Sequence, residues 1–160
     1  MAFYEQDVGV HIDEKKLQTR VRELGEQITR DYQGKELTFI CVLKGSAFFA
    51  MDLARHVDLP LTIEFLGVSS YQGGTETTGE VRITTDVSKP MAGKHLLIIE
   101  DIIDTGLTMS FLLEKPSRAR TQVPIDYKGF VIDDVFVVGY GLDYAERYRN
   151  LPFIGVMKGK

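Results

Sequence analysis

At 160 residues the chain has the length of one ordinary domain, enough to bury roughly 70% of the surface its unfolded form exposes. Its 44% hydrophobic and 26% charged residues, with 15 Gly and 5 Pro, exclude disordered, collagen-like and coiled-coil classes. Lys and Arg number 19 against 23 Asp and Glu, a net charge of −4, which argues against nucleic acid as a main partner because no excess positive field is available to neutralise a polyphosphate backbone.

The single Cys41 lies inside the apolar run Leu37 to Leu43, so neither a disulfide framework nor a cysteine-rich zinc site is expected, and a reducing compartment is. The start Met-Ala-Phe-Tyr-Glu-Gln-Asp is neither basic nor apolar, and no run approaches the roughly 20 apolar residues of a membrane span. A cytoplasmic protein with no membrane partner is the expectation.

From Asp13 to Tyr32 the apolar positions Leu17, Val21, Leu24 and Ile28 recur at helical spacing between charged residues, with Asp13 as N-cap and Gly34 as stop. Leu37-Thr-Phe-Ile-Cys-Val-Leu43 predicts a strand buried on both faces of a parallel sheet. Ser46 to His56 predicts a second helix, and Leu61 to Ser69 and Glu80 to Asp86 two further strands. The polar, glycine-rich Tyr71 to Gly79 between them predicts a mobile loop. His95 to Ile99 predicts another buried strand, ending in Glu100-Asp101. A helix is expected to begin near Leu107, with Met109, Leu112 and Leu113 as its apolar positions. Strand signals follow at Thr121 to Tyr127, Val135 to Tyr140 and Phe153 to Met157. Strand, loop and helix alternate twice, which predicts an α/β domain with ligands at the carboxyl ends of its strands. His11, His56 and His95 are dispersed without metal-ligand spacing.

The stretch Leu96-Leu-Ile-Ile-Glu-Asp-Ile-Ile-Asp-Thr-Gly-Leu-Thr108 carries the chemistry. Three carboxylates at the exit of a hydrophobic strand are costly unless they serve cations, hydroxyls or a reaction. Asp104 to Thr108 adds hydroxyls, a glycine and the free N–H groups of a helix start, which suit a phosphate. Acids beside a phosphate cradle point to a phosphorylated sugar. Neither a dinucleotide fingerprint nor a P-loop is present.

This segment resembles the phosphoribosyl pyrophosphate motif of the type I phosphoribosyltransferases. Val42-Leu-Lys-Gly45, Ser70-Tyr71 and Phe136-Val-Val-Gly-Tyr-Gly-Leu-Asp-Tyr-Ala-Glu-Arg-Tyr-Arg149 are similar to the hypoxanthine-guanine branch, in the same order. The resemblance implies a mostly parallel twisted sheet with helices on both faces, and a small hood built from the terminal segments, in one domain over residues 1–160. It implies transfer of a phosphoribosyl group from phosphoribosyl pyrophosphate to N9 of hypoxanthine or guanine, with Mg²⁺, giving IMP or GMP and pyrophosphate. A dimer or tetramer is expected, as in most relatives.

By this likeness Glu100 and Asp101 would hold the ribose hydroxyls. Asp104, Thr105, Gly106, Leu107 and Thr108 would wrap the 5-phosphate. Asp104 would also face purine N7 as the catalytic acid or base; a helix N-cap is its bland alternative and is compatible with that role. Lys44-Gly45, which alone reads as a turn, would bind pyrophosphate through backbone N–H groups, the preceding peptide being cis in some relatives, with Arg118 and Arg149 as cationic donors. Phe136 and Ile102 would sandwich the purine, Val137 would meet its edge, and Lys115 would donate to the 6-oxygen, favouring 6-oxopurines over adenine. Core packing is the plainer reading of Phe136 and Val137. Asp143 would lie by the base edge and hold Mg²⁺ through water, with Glu100 and Asp101 its other acids; a solvated loop acid is the commoner fate of such an Asp. Ser70 and Tyr71 would belong to a loop closing over the reacting sugar to exclude water, against an ordinary hairpin.

The chain also departs from the family. Glu114 is joined directly to Lys115, leaving about eight residues counted from Leu107 for a helix of roughly 12 Å, and none for the core strand that normally precedes the Lys-Pro-Ser-Arg segment. A missing strand is therefore expected. Its loss would be hard to reconcile with a stability of about 5–15 kcal/mol, which favours an engineered chain or residues left out of the sequence over a natural deletion. Two other functions compete with catalysis: a nucleotide-sensing regulator that binds RNA or DNA, which the net charge disfavours, and an inactive truncated variant.

Overall fold

A computed structural model describes residues 7–70, 81–103, 110–114 and 126–159. Helix α1 runs over Glu14–Asp31. The Asp13 carboxylate caps it by accepting from Lys16 N at 2.9 Å, with Glu14 in the first turn and Arg30 in the last complementing the helix dipole. Leu17, Val21, Leu24 and Ile28 are fully buried, each contributing about 1.5–3 kcal/mol of apolar burial. Gly34 takes φ +76 beyond the helix, as the stop signal requires.

The main sheet has six strands in the order β4-β3-β2-β5-β6-β7: β2 (Leu37–Leu43), β3 (Leu61–Ser70), β4 (Val81–Thr85), β5 (His95–Ile103), β6 (Ser110–Glu114) and β7 (Tyr127–Val131). All neighbours are parallel except the β3–β4 pair. Leu37, Phe39 and Cys41 of β2 and Leu97 and Ile99 of β5 join the buried faces of α1 and of α2 (Ala47–Ala54) in one core. Both described helices therefore lie on one face of the sheet, so the expected cover on both faces is seen on one side among the described residues.

A second, three-stranded antiparallel sheet has the order β1-β9-β8, from β1 (Val8–Ile12), β8 (Val137–Val138) and β9 (Ile154–Met157). It is the expected hood of terminal segments, with a small core of Val8, Val138, Tyr148 and Leu151. Strand β1 carries no prediction above, although Val8, Val10 and Ile12 alternate. Strand β7 begins where the predicted Thr121 to Tyr127 strand was to end.

The region after β5 is the main correction. No helix forms at 110–114: Ser110–Glu114 is β6, paired parallel with β5 from Ile99↔Ser110 to Ile103↔Glu114 and with β7 from Ser110↔Tyr127 to Glu114↔Val131. Helical spacing of Met109, Leu112 and Leu113 is overridden because an open strand position between β5 and β7 supplies two ladders of hydrogen bonds. The strand expected to be missing is therefore present, and no helix forms among the described residues of this region. Residues 104–109 are too few for the dozen or more of an ordinary helical crossover. The stability objection to a real deletion thus loses its premise.

Candidate active site at the carboxyl ends of β2 and β5

The chain leaves β2 for β3 and β4 on one side, then returns to build β5, β6 and β7 on the other. The order reverses between β2 and β5, and the carboxyl ends of strands at such a point form a binding crevice. Strand β2 exits through a cis Leu43–Lys44 peptide into Gly45 and Ser46. The buried Ser46 hydroxyl donates to the Val42 carbonyl and lies 3.1 Å from Cys41 Sγ, fixing the turn into α2.

Beside this turn β5 exits through Glu100 and Asp101, both half-buried. Asp101 Oδ1 accepts from Ile102 N at 2.8 Å. A Cβ on Gly45 would overlap the Asp101 carboxylate, with Cγ 2.8 Å away, so any larger residue there must displace that side chain. Burial, reinforced by the adjacent Asp101, pushes the Glu100 carboxyl up to about 8. Burial also raises Asp101, with the Ile102 N–H and the Arg149 charge opposing. Two neighbouring acids held in this way favour hydroxyl donors or a cation.

The hood supplies the third wall. Gly141, at φ +99, packs on the Gly45 carbonyl, where a Cβ would lie 3.0 Å from Gly45 C. Its carbonyl accepts from Arg149 Nη1 at 2.6 Å, and Arg149 Nη2 lies 2.8 Å from Asp143 Oδ1. Among the described residues Arg149 Nε is buried without an acceptor. Glu146 bridges Lys44 Nζ at 3.2 Å and Arg149 Nη2 at 3.5 Å. Tyr140, buried at φ 52, donates to Asp52 Oδ2 at 2.7 Å, which also accepts from Gln18 Nε2 at 3.0 Å. This network ties the Gly139 to Gly141 segment to both helices.

Next to it Phe136 is 48% exposed, meeting Tyr144 edge-on with centroids 5.8 Å apart; Val137 is buried at the start of β8. Core packing therefore describes Val137 and not Phe136. Ile102 packs against the main core. Ser70 ends β3, paired with Val81. The residues assigned to the phosphate loop (Asp104, Thr105, Gly106, Leu107, Thr108), together with Tyr71, Lys115 and Arg118, lie outside the described residues.

Among the described residues no three His, Cys, Asp or Glu side chains converge on a metal position. Asp143 commits Oδ1 to Arg149 and Oδ2 to the Glu146 N–H at 2.8 Å, leaving Glu100 and Asp101 as the acids without cationic partners among the ion pairs seen. That fits Mg²⁺ held by one or two carboxylates and otherwise by substrate oxygens. A separate crevice of about 600 Å³, among Lys35, Thr38, Thr62, Lys94 and His95 at the amino edge of the sheet, shares none of these residues.

Gly141, Glu146 and the Tyr140–Asp52 pair were not foreseen. The Gly139-Tyr-Gly141 spacing is a signal for a tight backbone approach, whereas the i,i+3 spacing of Glu146 and Arg149 says nothing of Lys44, 102 positions away.

A family model described as phosphoribosyl transferase domain matches residues 12–115. The chain belongs to the phosphoribosyltransferase family. Within it, the chain is 46% identical to a hypoxanthine-guanine phosphoribosyltransferase of Staphylococcus aureus strain Mu50, over 93% of each. It is 45% identical to a bifunctional protein TilS/HprT of Listeria monocytogenes, over 93% of this chain and 26% of that one. The crystal structure of a hypoxanthine phosphoribosyltransferase from Staphylococcus aureus superposes with a TM-score of 0.90 at 44% identity, covering 99% of this chain and 95% of the other. A Bacillus anthracis hypoxanthine-guanine phosphoribosyltransferase gives 0.86 at 44% identity, covering 92% and 97%. The Mu50 alignment has 166 positions but takes up 93% of these 160 residues, so about 17 positions of the family pattern have no counterpart here.

Proposed function

We propose that this phosphoribosyltransferase transfers the phosphoribosyl group of phosphoribosyl pyrophosphate to N9 of hypoxanthine or guanine, forming IMP or GMP and releasing pyrophosphate, as a single domain in the cytoplasm. The observation that carries the reading is the packing of Gly45 between Asp101 and Gly141. It brings the turn after β2, the Asp101 carboxylate and the Arg149 loop into one crevice.

Glu100 and Asp101 would orient the ribose through its hydroxyls. Lys44, Gly45, Arg149 and Arg118 would hold the pyrophosphate, the unpartnered Arg149 Nε being a ready donor for an anionic oxygen. Bond breaking at the ribose C1 sends negative charge onto this leaving group, where fixed donors stabilise it most. Asp104 to Thr108 would cradle the 5-phosphate, with Asp104 taking or relaying the N7 proton. The exposed Phe136 ring offers a stacking face for the base opposite Ile102, with the Val137 backbone at the base edge and Lys115 at the 6-oxygen. Ser70 and Tyr71 would help exclude water. Mg²⁺ on Glu100 and Asp101, with Asp143 reached through water, would neutralise pyrophosphate oxygens.

Turnover tests the reading. Purified protein is expected to release pyrophosphate with hypoxanthine or guanine only when phosphoribosyl pyrophosphate and Mg²⁺ are present. Absence of release with either base, together with salt-dependent binding of an RNA, would replace it with the regulator reading; retention of phosphate binding without turnover would mark a truncated, inactive form. No described helix is long and apolar enough to cross a membrane, in keeping with the proposed location. Sedimentation would give the assembly state, for which a dimer or tetramer is proposed.

A further inference from the structure

One carboxylate stands where two cations of the site converge. Glu146 Oε2 lies 3.2 Å from Lys44 Nζ and its Oε1 3.5 Å from Arg149 Nη2. Lys44 comes from the turn after β2 and Arg149 from the hood, so this side chain joins the two walls of the crevice. Its backbone is at φ 61, beside Ala145 at φ 51, and its N–H is held by Asp143 Oδ2 at 2.8 Å, so the loop is anchored at the main chain. The Glu146 side chain is 67% exposed, and its bonds among the described residues are to these two cations alone.

We propose that Glu146 is a displaceable internal stand-in for pyrophosphate, pairing with Lys44 and sharing Arg149 with the nearer Asp143 carboxylate at 2.8 Å, until the phosphate ligand takes Lys44 and the open side of Arg149 and the Glu146 carboxylate swings into solvent. The proposal rests on the assignment of Lys44 and Arg149 to the pyrophosphate site. Like charge makes occupancy by Glu146 and by ligand mutually exclusive, and solvent rehydrates the released carboxylate, so exchange is cheap in a way that a buried ion pair would not permit. The consequence is a site with selectivity for dianionic groups able to outbid one carboxylate, and faster release of pyrophosphate after transfer.

Titration calorimetry with inorganic pyrophosphate and Mg²⁺, on the full chain and on Glu146→Gln, separates the possibilities. Gln keeps shape and removes charge. The expected result is affinity tightened about three- to tenfold, shrinking in high salt, with the KM for phosphoribosyl pyrophosphate lowered in parallel and the KM for the base unchanged. Glu146→Asp, too short to reach both cations, should fall between. Equal or weaker binding by Glu146→Gln would overturn the proposal and make Glu146 a positioning residue for Arg149. Absence of pyrophosphate binding and turnover in the unaltered chain would instead remove the underlying site assignment.

Discussion

Gly45 and Asp101 form one packed unit across β2 and β5: a Cβ at Gly45 would overlap Asp101 Oδ2 and lie 2.8 Å from its Cγ. On its other side the Gly45 carbonyl is covered closely by Gly141. Gly45→Ala is therefore expected to displace the acid, lower stability by about 1–3 kcal/mol and reduce kcat/KM at least about a hundredfold. Thermal unfolding and steady-state kinetics check both; a variant with near-normal turnover would show that the turn and the acid are not coupled.

Glu100 has a folded pKa of about 8 against an ordinary 4.5, so the folded protein keeps a proton that the unfolded chain releases. The folded state binds more protons between these values, so stability falls as pH rises from about 5 to 8. Glu100→Gln, which cannot ionise, should flatten that decline and be the more stable relative to the unaltered protein at the alkaline end. Urea unfolding at several pH values reads the slope, and parallel curves would contradict the assignment.

The Tyr140 hydroxyl is one of three donors on Asp52, which Gln18 and Arg55 also hold. Tyr140→Phe leaves Asp52 satisfied, so the expected loss is about 1 kcal/mol, a Tm drop of about 2–4 °C for a chain of this size. Calorimetry measures it. A much larger drop would mean that the hydroxyl organises the whole hood junction.

Phe136 is half exposed without ligand, so Phe136→Ala should leave Tm within about 2 °C while removing a stacking face worth about 1–3 kcal/mol to a base. The KM for hypoxanthine should rise about tenfold or more, with the KM for phosphoribosyl pyrophosphate little changed. Loss of stability with unchanged base affinity would return Phe136 to a packing role.

Ser110 to Glu114 pairs on both sides, with β5 and with β7. Their amides should exchange slowly and their Cα chemical shifts should be those of a strand. Helical shifts there would restore the original expectation and remove the fifth strand of the sheet.

Sequence alone was sufficient wherever a segment's own pattern settles its partner-facing side. The cap Asp13, the stripe Leu17, Val21, Leu24 and Ile28, and the β-branched run of β2 all form as their spacing predicts, because each buries an apolar face whose period is a local property. The acids Glu100 and Asp101 in β5 were equally legible, since charge after an apolar run has no packing explanation, although the strand continues past them to Ile103. The 110–114 segment was not, because a short apolar run fits either period and the choice is made by a vacant ladder between two other strands.

The chemistry divides in the same way. Residue types and order identified the family and named Lys44, Gly45, Asp101 and Arg149 from three separate motifs. Only the folded chain set Gly141 against Gly45 and placed Glu146 between Lys44 and Arg149, contacts spanning about a hundred positions. Those depend on how the hood closes on the sheet, a relation no local pattern encodes. Length, the first quantity read, did not decide the core: Ser110 to Glu114 pairs with β5 and β7, since buried backbone groups need partners, which no count of residues could show.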